Sequence, residues 1–468
     1  MKKTKIICSI GPSSNNYETF KQIVESGMNV ARVNFSHATL EERKIVEDLV
    51  ERVNNELGTN IGLLFDTKGP EFRNGSVENN EISLEEGKTI RIVKEEVLGN
   101  NERFSVNHPN SLNHIKVGDI VLLVNGLIKL KTISVEKDGI TCKILNNGKL
   151  GNHKSMSVPG VDLNIPFIDD VDREDITYAC KHNGDFIALS FVSSKKDIEE
   201  ARKILKENNR EDMKIISKVE SVTGIDNINE IIENSDGIMV ARGDLGVEVP
   251  MTMLPIYQKD IIRKCREQGK FVIVATEMLT SMKKSIRPTR AEVSDVANAV
   301  FNGTDAVMLS DETTVGEHPV DTVKCMADIC ENAEHFYSYE KKFQVKYESN
   351  ITATIAKSVI EASNDLDAKL IVAATMSGRT AKKISNLKPK TIVLATVPNN
   401  KVARSLALNW GVYPVVVPEY DSTDEVVKGA INSAKEFIKL KSKDKIIITG
   451  GFPNVGEKST NFMKIEEI

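Results

Sequence analysis

Residues 214–219 read KIISKV and residues 237–241 read GIMVA, two short apolar runs joined by a segment with helical periodicity. Apolar runs that alternate with helical segments are typical of parallel strands covered by helices on both faces. The same pattern predicts eight strands, at Thr4–Ile10, Met28–Val33, Ile61–Phe65, Phe186–Phe191, Lys214–Val219, Gly237–Ala241, Phe271–Ala275 and Ala306–Leu309. Eight such strands predict an α/β fold with a closed (β/α)8 barrel, or TIM barrel.

The pattern changes between the third and fourth predicted strands. Short alternating runs such as DIVLLVNGLIKLKTISV (119–135) are broken there by glycine and asparagine. This predicts a small β-barrel domain inserted at 70–168, called the inserted domain below. The remaining residues 1–69 and 169–345 form a unit of about 250 residues, the usual size of such a barrel.

A third unit, 346–468, is called the C-terminal domain below. It begins after Tyr347 with the helical stretch ITATIAKSVIEASND. Four apolar runs follow, LIVAAT, TIVLAT, VYPVVV and KIIITG, and helical segments separate them. This alternation predicts an open α/β sheet.

Composition excludes several classes of protein. The chain has 468 residues and a net charge of -5, which argues against binding nucleic acid through bulk charge. Its six cysteines never occur as CxxC, so we expect reduced thiols. No apolar run is long enough for a signal peptide or a membrane span, so we expect a cytoplasmic protein.

Polar side chains follow most of the predicted barrel strands, where active sites of such barrels lie. In chain order they are Arg32, Asn34, Ser36, His37, Asp66, Thr67, Lys68, Lys218, Glu220, Arg242, Asp244, Thr276, Glu277, Ser310 and Glu312. Basic, acidic and hydroxyl groups are thus predicted to converge on one rim. The alternative is a rim of solvated loop residues.

Glu220 and Asp244 are carboxylates at the ends of adjacent strands, which suits Mg²⁺. The alternative is a pair of solvated or salt-bridged acids. Lys218 lies two residues before Glu220 and therefore points to the same side of the strand. A cation there suits a phosphoryl group in transfer or an enolate, whereas a plain ion pair with Glu220 would be inert.

Other groups on this rim do not point to a single ligand. Arg32 could pair with a phosphate in a forked geometry. The oxygens of Asn34, Ser36, Asp66 and Thr67 suit a hard cation or, equally, a hydrogen-bonded scaffold. A hydrogen-bonded loop histidine is the favoured interpretation of His37.

Two glycine-containing turns could hold anions. Residues 241–246, ARGDLG, are predicted to turn tightly at two glycines, and a helix after them could bind a carboxylate or phosphate. In the C-terminal domain, the TMSGRT turn of residues 375–380 between a strand and a helix predicts a phosphate nest. The alternative is a helix cap with an exposed Arg379. The tail from Gly450 to Asn461, with Phe452 and Lys458, could close over that turn.

The residues alone therefore indicate a Mg²⁺-dependent barrel enzyme with a small phosphorylated or carboxylated substrate. They do not separate a kinase from a lyase or an aldolase.

Seven long motifs distinguish between these kinds of enzyme. They are TKIICSIGPSS (4–14), SGMNVARVNFSHAT (26–39), DTKGPEFRNG (66–75), GIMVARGDLGVEVP (237–250), ATEMLTSM (275–282), RPTRAEVSDVANAVFNGTDAVMLSDET (287–313) and TMSGRTA (375–381). In these motifs the chain resembles the pyruvate kinase family. The resemblance implies phosphoryl transfer from phosphoenolpyruvate to ADP in the last step of glycolysis. It also implies Mg²⁺ and K⁺ as cofactors, a phosphorylated allosteric effector and a homotetramer.

The resemblance also implies roles for residues of this chain. Lys218, Arg32 and Thr276 would be catalytic, and Arg32, Gly243, Asp244 and Thr276 would bind substrate. Asn34, Phe35, Ser36, His37, Arg73 and Lys154 would bind the nucleotide. Glu220 and Asp244 would hold Mg²⁺, and Asn34, Ser36, Asp66 and Thr67 would hold K⁺. Thr375, Ser377, Gly378, Arg379 and Thr380 would bind the effector. Glu71 matches family members that need K⁺, whereas members with a lysine at this position are independent of K⁺.

Five positions depart from the family pattern. They are Val124 and Asn125, which stand where family members have acidic residues in the inserted domain, and Ser193, Glu277 and Asp311. Two other functions stay open on these grounds. One is an aldolase or lyase that acts on pyruvate, and the other is a sensor that keeps the C-terminal phosphate site without catalysis. The identity of the effector also stays open among fructose 1,6-bisphosphate, a sugar monophosphate and AMP.

Overall fold

Eight parallel strands form a closed barrel in this computed structural model, which describes residues 1–339, 350–451 and 460–468. Their order around the barrel is β1-β16-β15-β14-β13-β12-β3-β2. The strands are β1 (Lys5–Ser9), β2 (Val30–Asn34), β3 (Gly62–Asp66), β12 (Phe186–Leu189), β13 (Lys214–Val219), β14 (Gly237–Ala241), β15 (Phe271–Ala275) and β16 (Ala306–Leu309). The predicted barrel is confirmed.

The barrel strands are buried on both faces, which is why they read as continuous apolar runs. Alternate side chains point inward and outward along each strand. In β1, Ile7 packs in the barrel interior, while Ile6 and Cys8 pack against the surrounding helices. At the amino ends of the strands, the rings of Phe186 and Phe271 pack edge to face at 6.3 Å.

Helices surround the barrel, and side-chain caps fix their first turns. Thr39 and Glu42 form a capping box at the start of the helix that follows β2, and Gly58 ends that helix with a φ of +62°. The helices are α1 (Tyr17–Glu25), α2 (Leu40–Leu57), α3 (Asp170–Lys181), α4 (Lys195–Glu207), α5 (Val222–Asp226), α6 (Ile228–Asn234), α7 (Arg242–Glu248), α8 (Leu254–Glu267), α9 (Arg290–Asn302), α10 (Asp311–Thr314) and α11 (Pro319–His335). Short 3₁₀ helices occur at Glu78–Asn80, Pro109–His114 and Thr280–Lys283.

The inserted segment between β3 and α3 is built from strands, as predicted. Six of them form one curled sheet in the order β11-β7-β8-β9-β5-β6, and β10 pairs with β4. The strands are β4 (Glu81–Leu84), β5 (Thr89–Val93), β6 (Arg103–Ser105), β7 (Ile120–Leu123), β8 (Ile128–Glu136), β9 (Gly139–Ile144), β10 (Gly148–Gly151) and β11 (Met156–Ser157). Residues such as Ile90, Phe104 and Leu130 give it a hydrophobic core of its own.

The chain ends in a second α/β sheet, with strand order β19-β18-β17-β20-β21. Its elements are α12 (Ile351–Asp365), β17 (Leu370–Ala374), α13 (Arg379–Asn386), β18 (Val393–Val397), α14 (Asn400–Arg404), β19 (Val412–Val416), α15 (Thr423–Phe437), β20 (Lys445–Gly450) and β21 (Phe462–Glu467). The antiparallel edge strand β21 was not predicted. Tyr347, Phe452 and Lys458 lie outside the described residues.

One local prediction is wrong. Residues 241–246 do not form a tight glycine turn, because the helix α7 begins at Arg242 and includes Gly243 and Gly246. The six cysteines are free thiols, as expected. In the part of the chain that the structure describes, no helix is both long enough and apolar enough to cross a bilayer.

Candidate active site

A cleft of about 360 Å³ lies at the carboxyl ends of the barrel strands, between the barrel and the inserted domain. From the barrel it is lined by Arg32, Asn34, Ser36, His37, Thr67, Lys218, Glu220 and Asp244, and from the inserted domain by Arg73, Asn125, Ser155 and Ser157, among others. The structure thus brings together most of the predicted rim residues. Gly243 and Thr276 contact each other next to the cleft, at the adjoining ends of β14 and β15.

Lys218 lies on the floor of this cleft with its side chain almost fully buried. Its Nζ donates a hydrogen bond to Ser190 Oγ at 2.7 Å. It also lies 3.2 Å from a carboxylate oxygen of Asp66 and 3.0 Å from one of Glu220. Burial alone would lower the pKa of Lys218, but the two carboxylates outweigh it and the pKa is raised. Lys218 is therefore a fixed cation.

Arg32 supplies a second buried cation beside Lys218. Its Nε donates to Asp66 Oδ2 at 2.7 Å, and its Nη1 donates to Ser9 Oγ at 2.7 Å. Asp66 is fully buried, yet Lys218 and Arg32 together outweigh the effect of burial and lower its pKa. Asp66 is an anion that orients both cations toward the cleft.

Three of the four oxygen donors predicted for K⁺ line the cleft: Asn34, Ser36 and Thr67. Asn34 Oδ1 accepts a hydrogen bond from the Ser36 N–H at 3.1 Å, and Thr67 Oγ1 accepts one from the Ser190 N–H at 3.2 Å. The fourth, Asp66, lies beneath them in its ion pairs with the two cations.

Glu220 and Asp244 both line the cleft, and Glu220 has an incompletely bonded carboxylate. Its Oε2 accepts the N–H of Phe191 at 2.7 Å. Its Oε1 is buried, and its one close partner among the described residues is Nζ of Lys218, 3.0 Å away in an ion pair. Burial raises the pKa of Glu220 to about 7, Asp244 adds to this, and Lys218 opposes it.

These two carboxylates fit Mg²⁺. A buried carboxylate oxygen without a hydrogen bond is stabilised by a cation, and a hard cation is held by one or two carboxylates while its remaining ligands are water or substrate oxygens. Within the described ranges, no group of three or more His, Cys, Asp or Glu side chains could hold a metal. Glu220 and Asp244, which line the same cleft, are the two carboxylates that such an open site needs.

Thr276 follows β15 in a left-handed backbone conformation, with a φ of +67°. Its hydroxyl donates to the carbonyl of Ala275 at 2.6 Å and accepts the N–H of Gly243 at 2.7 Å. The predicted substrate residues Gly243 and Thr276 are thus in direct contact, with Asp244 next to Gly243 on α7.

The predicted nucleotide residues fall into two sets. Asn34, Ser36, His37 and Arg73 line the cleft, and both Arg73 Nε and Nη2 donate to the carboxylate of Glu71, at 2.8 and 2.6 Å. Phe35 and Lys154 do not line the cleft. The ring of Phe35 is buried and stacks on Phe65 at 5.1 Å, so it is not available to a ligand. Lys154 is exposed.

The predicted effector residues form the turn from β17 to α13. Gly378 caps this helix with a φ of +78°. Ser377 and Arg379 are exposed, while the buried hydroxyl of Thr380 lies 2.6 Å from that of Thr460. Thr375 is half-buried. The tail therefore returns to this turn at Thr460.

Two residues that contact the candidate site residues were missed in the sequence. Ser190 and Phe191 follow β12 and contact Lys218 and Glu220, respectively. The strand-end rule did not find them because the predicted strand ran to Phe191, whereas the observed strand ends at Leu189.

Comparison with known proteins agrees with this architecture. The profile of the family "Pyruvate kinase, barrel domain" matches residues 1–323, and that of "Pyruvate kinase, alpha/beta domain" matches residues 353–466. The chain is 46% identical to a pyruvate kinase of Staphylococcus epidermidis over 99% of its length and 80% of that protein. It belongs to the pyruvate kinase family.

Two further comparisons extend the likeness. A pyruvate kinase of Staphylococcus aureus is 44% identical over the same shares of both chains. A crystal structure of a pyruvate kinase from Cryptosporidium parvum has a TM-score of 0.95 and 39% identity, and it covers 100% of this chain and 96% of the other. The resemblance to pyruvate kinases is confirmed, and the chain is an enzyme of this family.

The departures from the pyruvate kinase pattern at Asn125, Ser193, Asp311 and Glu277 leave the ion pairs of Lys218 intact. Asn125 accepts the hydroxyl of Ser155 at 2.5 Å in the inserted domain. Of the other three, Ser193 bonds Asp197 at 3.0 Å, Asp311 pairs with Lys283 at 2.9 Å, and Glu277 is exposed.

Proposed function

We propose that this chain transfers the phosphoryl group of phosphoenolpyruvate to ADP and forms pyruvate and ATP, as the last step of glycolysis. The observation that carries the proposal is the charge arrangement on the floor of the cleft. Lys218 and Arg32 are both fixed by Asp66. Phosphoryl transfer needs positioned positive charge rather than covalent chemistry, and this arrangement supplies it.

Arg32 binds the phosphoryl group before transfer. Lys218 stabilises the negative charge on that group during transfer and on the enolate that remains. Because Asp66 holds both cations in place and Glu220 also pairs with Lys218, little reorganisation is needed when the charge moves. Glu220 and Asp244 would hold Mg²⁺, which when bound neutralises substrate oxygens.

The enolate of pyruvate must then receive a proton at carbon. The hydroxyl of Thr276, with nearby water, is the proposed proton relay. Gly243 and Asp244 join Thr276 around the carboxylate of the substrate. The contact between Gly243 and Thr276 supports this assignment, because it places both groups at one point.

The nucleotide binds toward the inserted domain. We assign it to Arg73, Lys154 and the stretch 34–37, which includes Asn34, Phe35, Ser36 and His37. The inserted domain, 70–168, acts as a lid on the barrel domain formed by 1–69 and 169–345. When it closes, it excludes water, so the phosphoryl group goes to ADP rather than to hydrolysis.

K⁺ is the proposed monovalent cation, held by Asn34, Ser36, Asp66 and Thr67. The cleft-lining positions of three of these residues support it. The family resemblance implies that an acidic residue at position 71, here Glu71, goes with a requirement for K⁺.

The C-terminal domain, 346–468, is the proposed regulatory domain of a cytoplasmic homotetramer. A phosphorylated metabolite binds at the turn between β17 and α13. The N-terminus of α13 and the exposed Ser377 and Arg379 support an anion at this position. Thr375, Gly378 and Thr380 complete the proposed set.

The experiment is pyruvate release from phosphoenolpyruvate with ADP and Mg²⁺, in K⁺ and in Na⁺. It is repeated with and without fructose 1,6-bisphosphate, a sugar monophosphate and AMP. Turnover that depends on ADP and is stimulated by K⁺ is expected. Chemistry on pyruvate without ADP would instead indicate an aldolase or lyase. Melting shifts with a phosphate ligand but no turnover would indicate a sensor.

A further inference from the structure

Arg242 directly follows β14, and its guanidinium connects three elements of the barrel. It is 7% exposed. It donates to the carbonyl of Thr276, at 3.2 Å from Nε and 2.7 Å from Nη2, and to that of Glu277 at 2.9 Å. Its Nη1 lies 2.5 Å from Oδ2 of Asp295 on α9. Arg242 therefore links the ends of β14 and β15 to the helix α9.

The backbone that Arg242 holds is strained. Thr276 and Glu277 have consecutive φ values of +67° and +53°. A β-branched residue such as threonine rarely adopts this region, and such conformations persist only where the surroundings fix them. The two carbonyls that accept from Arg242 belong to these two residues.

The hydroxyl of Thr276 is fixed from the other side as well. It accepts the N–H of Gly243, the residue after Arg242, at 2.7 Å. One residue thus restrains the carbonyl of Thr276 through its side chain, and its neighbour restrains the hydroxyl through the backbone.

We infer that Arg242, oriented by Asp295, is a positioning residue that holds the Thr276 hydroxyl at the reacting substrate. This inference rests on the proposed function. The planar guanidinium presents several donors in a fixed geometry and can serve two carbonyls and a carboxylate together. A lysine at this position keeps the charge but cannot reproduce the fork.

The test compares Arg242→Lys, Asp295→Asn and Thr276→Ala, singly and combined, in the pyruvate assay. Displacement of a reacting group by about 1 Å costs on the order of 10²-fold in rate, so we expect a loss of that size in kcat for Arg242→Lys. Asp295→Asn should lose less, because the amide oxygen still accepts from Arg242. The KM for ADP should stay within about twofold, since neither residue lines the nucleotide side.

A double-variant cycle shows whether Arg242 acts through Thr276. In a Thr276→Ala background, Arg242→Lys should change kcat by less than about threefold, because coupled residues are not additive. Exchange of the methyl hydrogens of pyruvate with D₂O, followed by proton NMR, should fall in parallel with kcat. This hydrogen exchange reports the protonation of the enolate separately from phosphoryl transfer.

Arg210 is the matched control. It donates to the carbonyls of Cys180 and Gly184, both at 2.6 Å, and pairs with Asp212 at 3.2 Å, at the opposite end of the barrel. Arg210→Lys should lower the unfolding midpoint like Arg242→Lys but leave kcat within about twofold of wild type.

Each outcome decides one claim. No phosphoenolpyruvate- and ADP-dependent turnover in the wild-type chain would overturn the proposed function. With wild-type turnover present, additive losses for Arg242→Lys and Thr276→Ala, or an equal kinetic loss in Arg210→Lys, would overturn only the positioning role. If Arg242→Lys does not fold, Asp295→Asn is judged by the same cycle.

Discussion

Lys388 and Asp305 form a buried ion pair between the C-terminal sheet domain and the barrel. Nζ of Lys388 donates to the Asp305 carboxylate, and the two side chains are 1% and 4% exposed. Asp305 immediately precedes β16, so the pair lies at the end of the barrel opposite the cleft. Lys5 Nζ also donates to the carbonyl of Val412 there, at 2.6 Å. Buried charges thus join the two units.

Lys388→Met should therefore destabilise the chain strongly. Removing one partner of a buried pair leaves the other charge unpaired and costs about 3–5 kcal/mol, whereas an exposed pair contributes about 0–1 kcal/mol. Urea unfolding measures the difference. Lys149→Met, which breaks the exposed pair with Glu81 at 2.7 Å, is the control. The double variant Lys388→Met/Asp305→Leu should recover only part of the loss, because the Asp305 carboxylate also accepts the buried N–H of Val272 at 2.9 Å. Equal effects of the two single variants would contradict the prediction.

The same lysine should make stability depend on pH. Burial, partly opposed by Asp305, lowers the pKa of Lys388 to about 8, while an unfolded lysine has a pKa of about 10.4. Between these values the unfolded chain binds more protons, so the free energy of unfolding rises with pH by at most about 1.4 kcal/mol per unit. The wild-type advantage over Lys388→Met should thus widen from about pH 8 to pH 10. If the difference in the free energy of unfolding between the wild-type chain and Lys388→Met stays constant over this pH range, the prediction is wrong.

The barrel could be predicted from the sequence because its strands are buried on both faces. The predicted runs Lys214–Val219, Gly237–Ala241, Phe271–Ala275 and Ala306–Leu309 coincide with the observed strands. The edge strand Phe462–Glu467 could not be predicted, since none of its residues is buried and its charged residues weaken the apolar pattern.

The residues that line the cleft were predictable from strand ends, but their partners were not. Nothing local in the sequence pairs Asp66 with Lys218, because parallel strands bring together residues that are far apart in the chain. The burial of Phe35, by contrast, could have been predicted from the alternation of side chains along β2. Arg32 and Asn34 share one side of β2, and alternation directs Phe35 to the other.

Lys218→Met should lower the rate of pyruvate formation by on the order of 10²–10³-fold, the usual cost of losing one electrostatic group in a catalytic site. Its contacts with Ser190 and Glu220 fix its charge in the cleft. Lys218→Arg keeps the charge and should retain more activity. A Lys218→Met variant that folds and turns over at the wild-type rate would exclude the assigned role.

Mg²⁺ should stabilise the wild-type chain through Glu220 and Asp244. A ligand at 100 times its Kd adds about 2.7 kcal/mol to the free energy of unfolding, which calorimetry detects as a rise in melting temperature. Glu220→Gln should abolish that rise. Glu248→Gln is the control, because Glu248 lines the same cleft but has no assigned metal role. If Glu220→Gln and Glu248→Gln lose the Mg²⁺-induced rise in melting temperature equally, a two-carboxylate site is contradicted.

Glu71→Lys should remove the dependence of activity on K⁺. Arg73 and Lys68 lie at 2.6 and 3.5 Å from the Glu71 carboxylate, so this acid lies among cations at the edge of the cleft. A lysine there supplies a fixed positive charge in place of the K⁺ charge, as the family resemblance implies.

The measurement is the ratio of pyruvate formation in K⁺ to that in Na⁺. It should exceed one in the wild-type chain and approach one in Glu71→Lys. Glu71→Gln is the control, because its amide oxygen still accepts from Arg73 but no positive charge is added. It should keep the K⁺ stimulation. A Glu71→Lys variant that is as K⁺-dependent as Glu71→Gln would show that residue 71 does not determine the cation requirement.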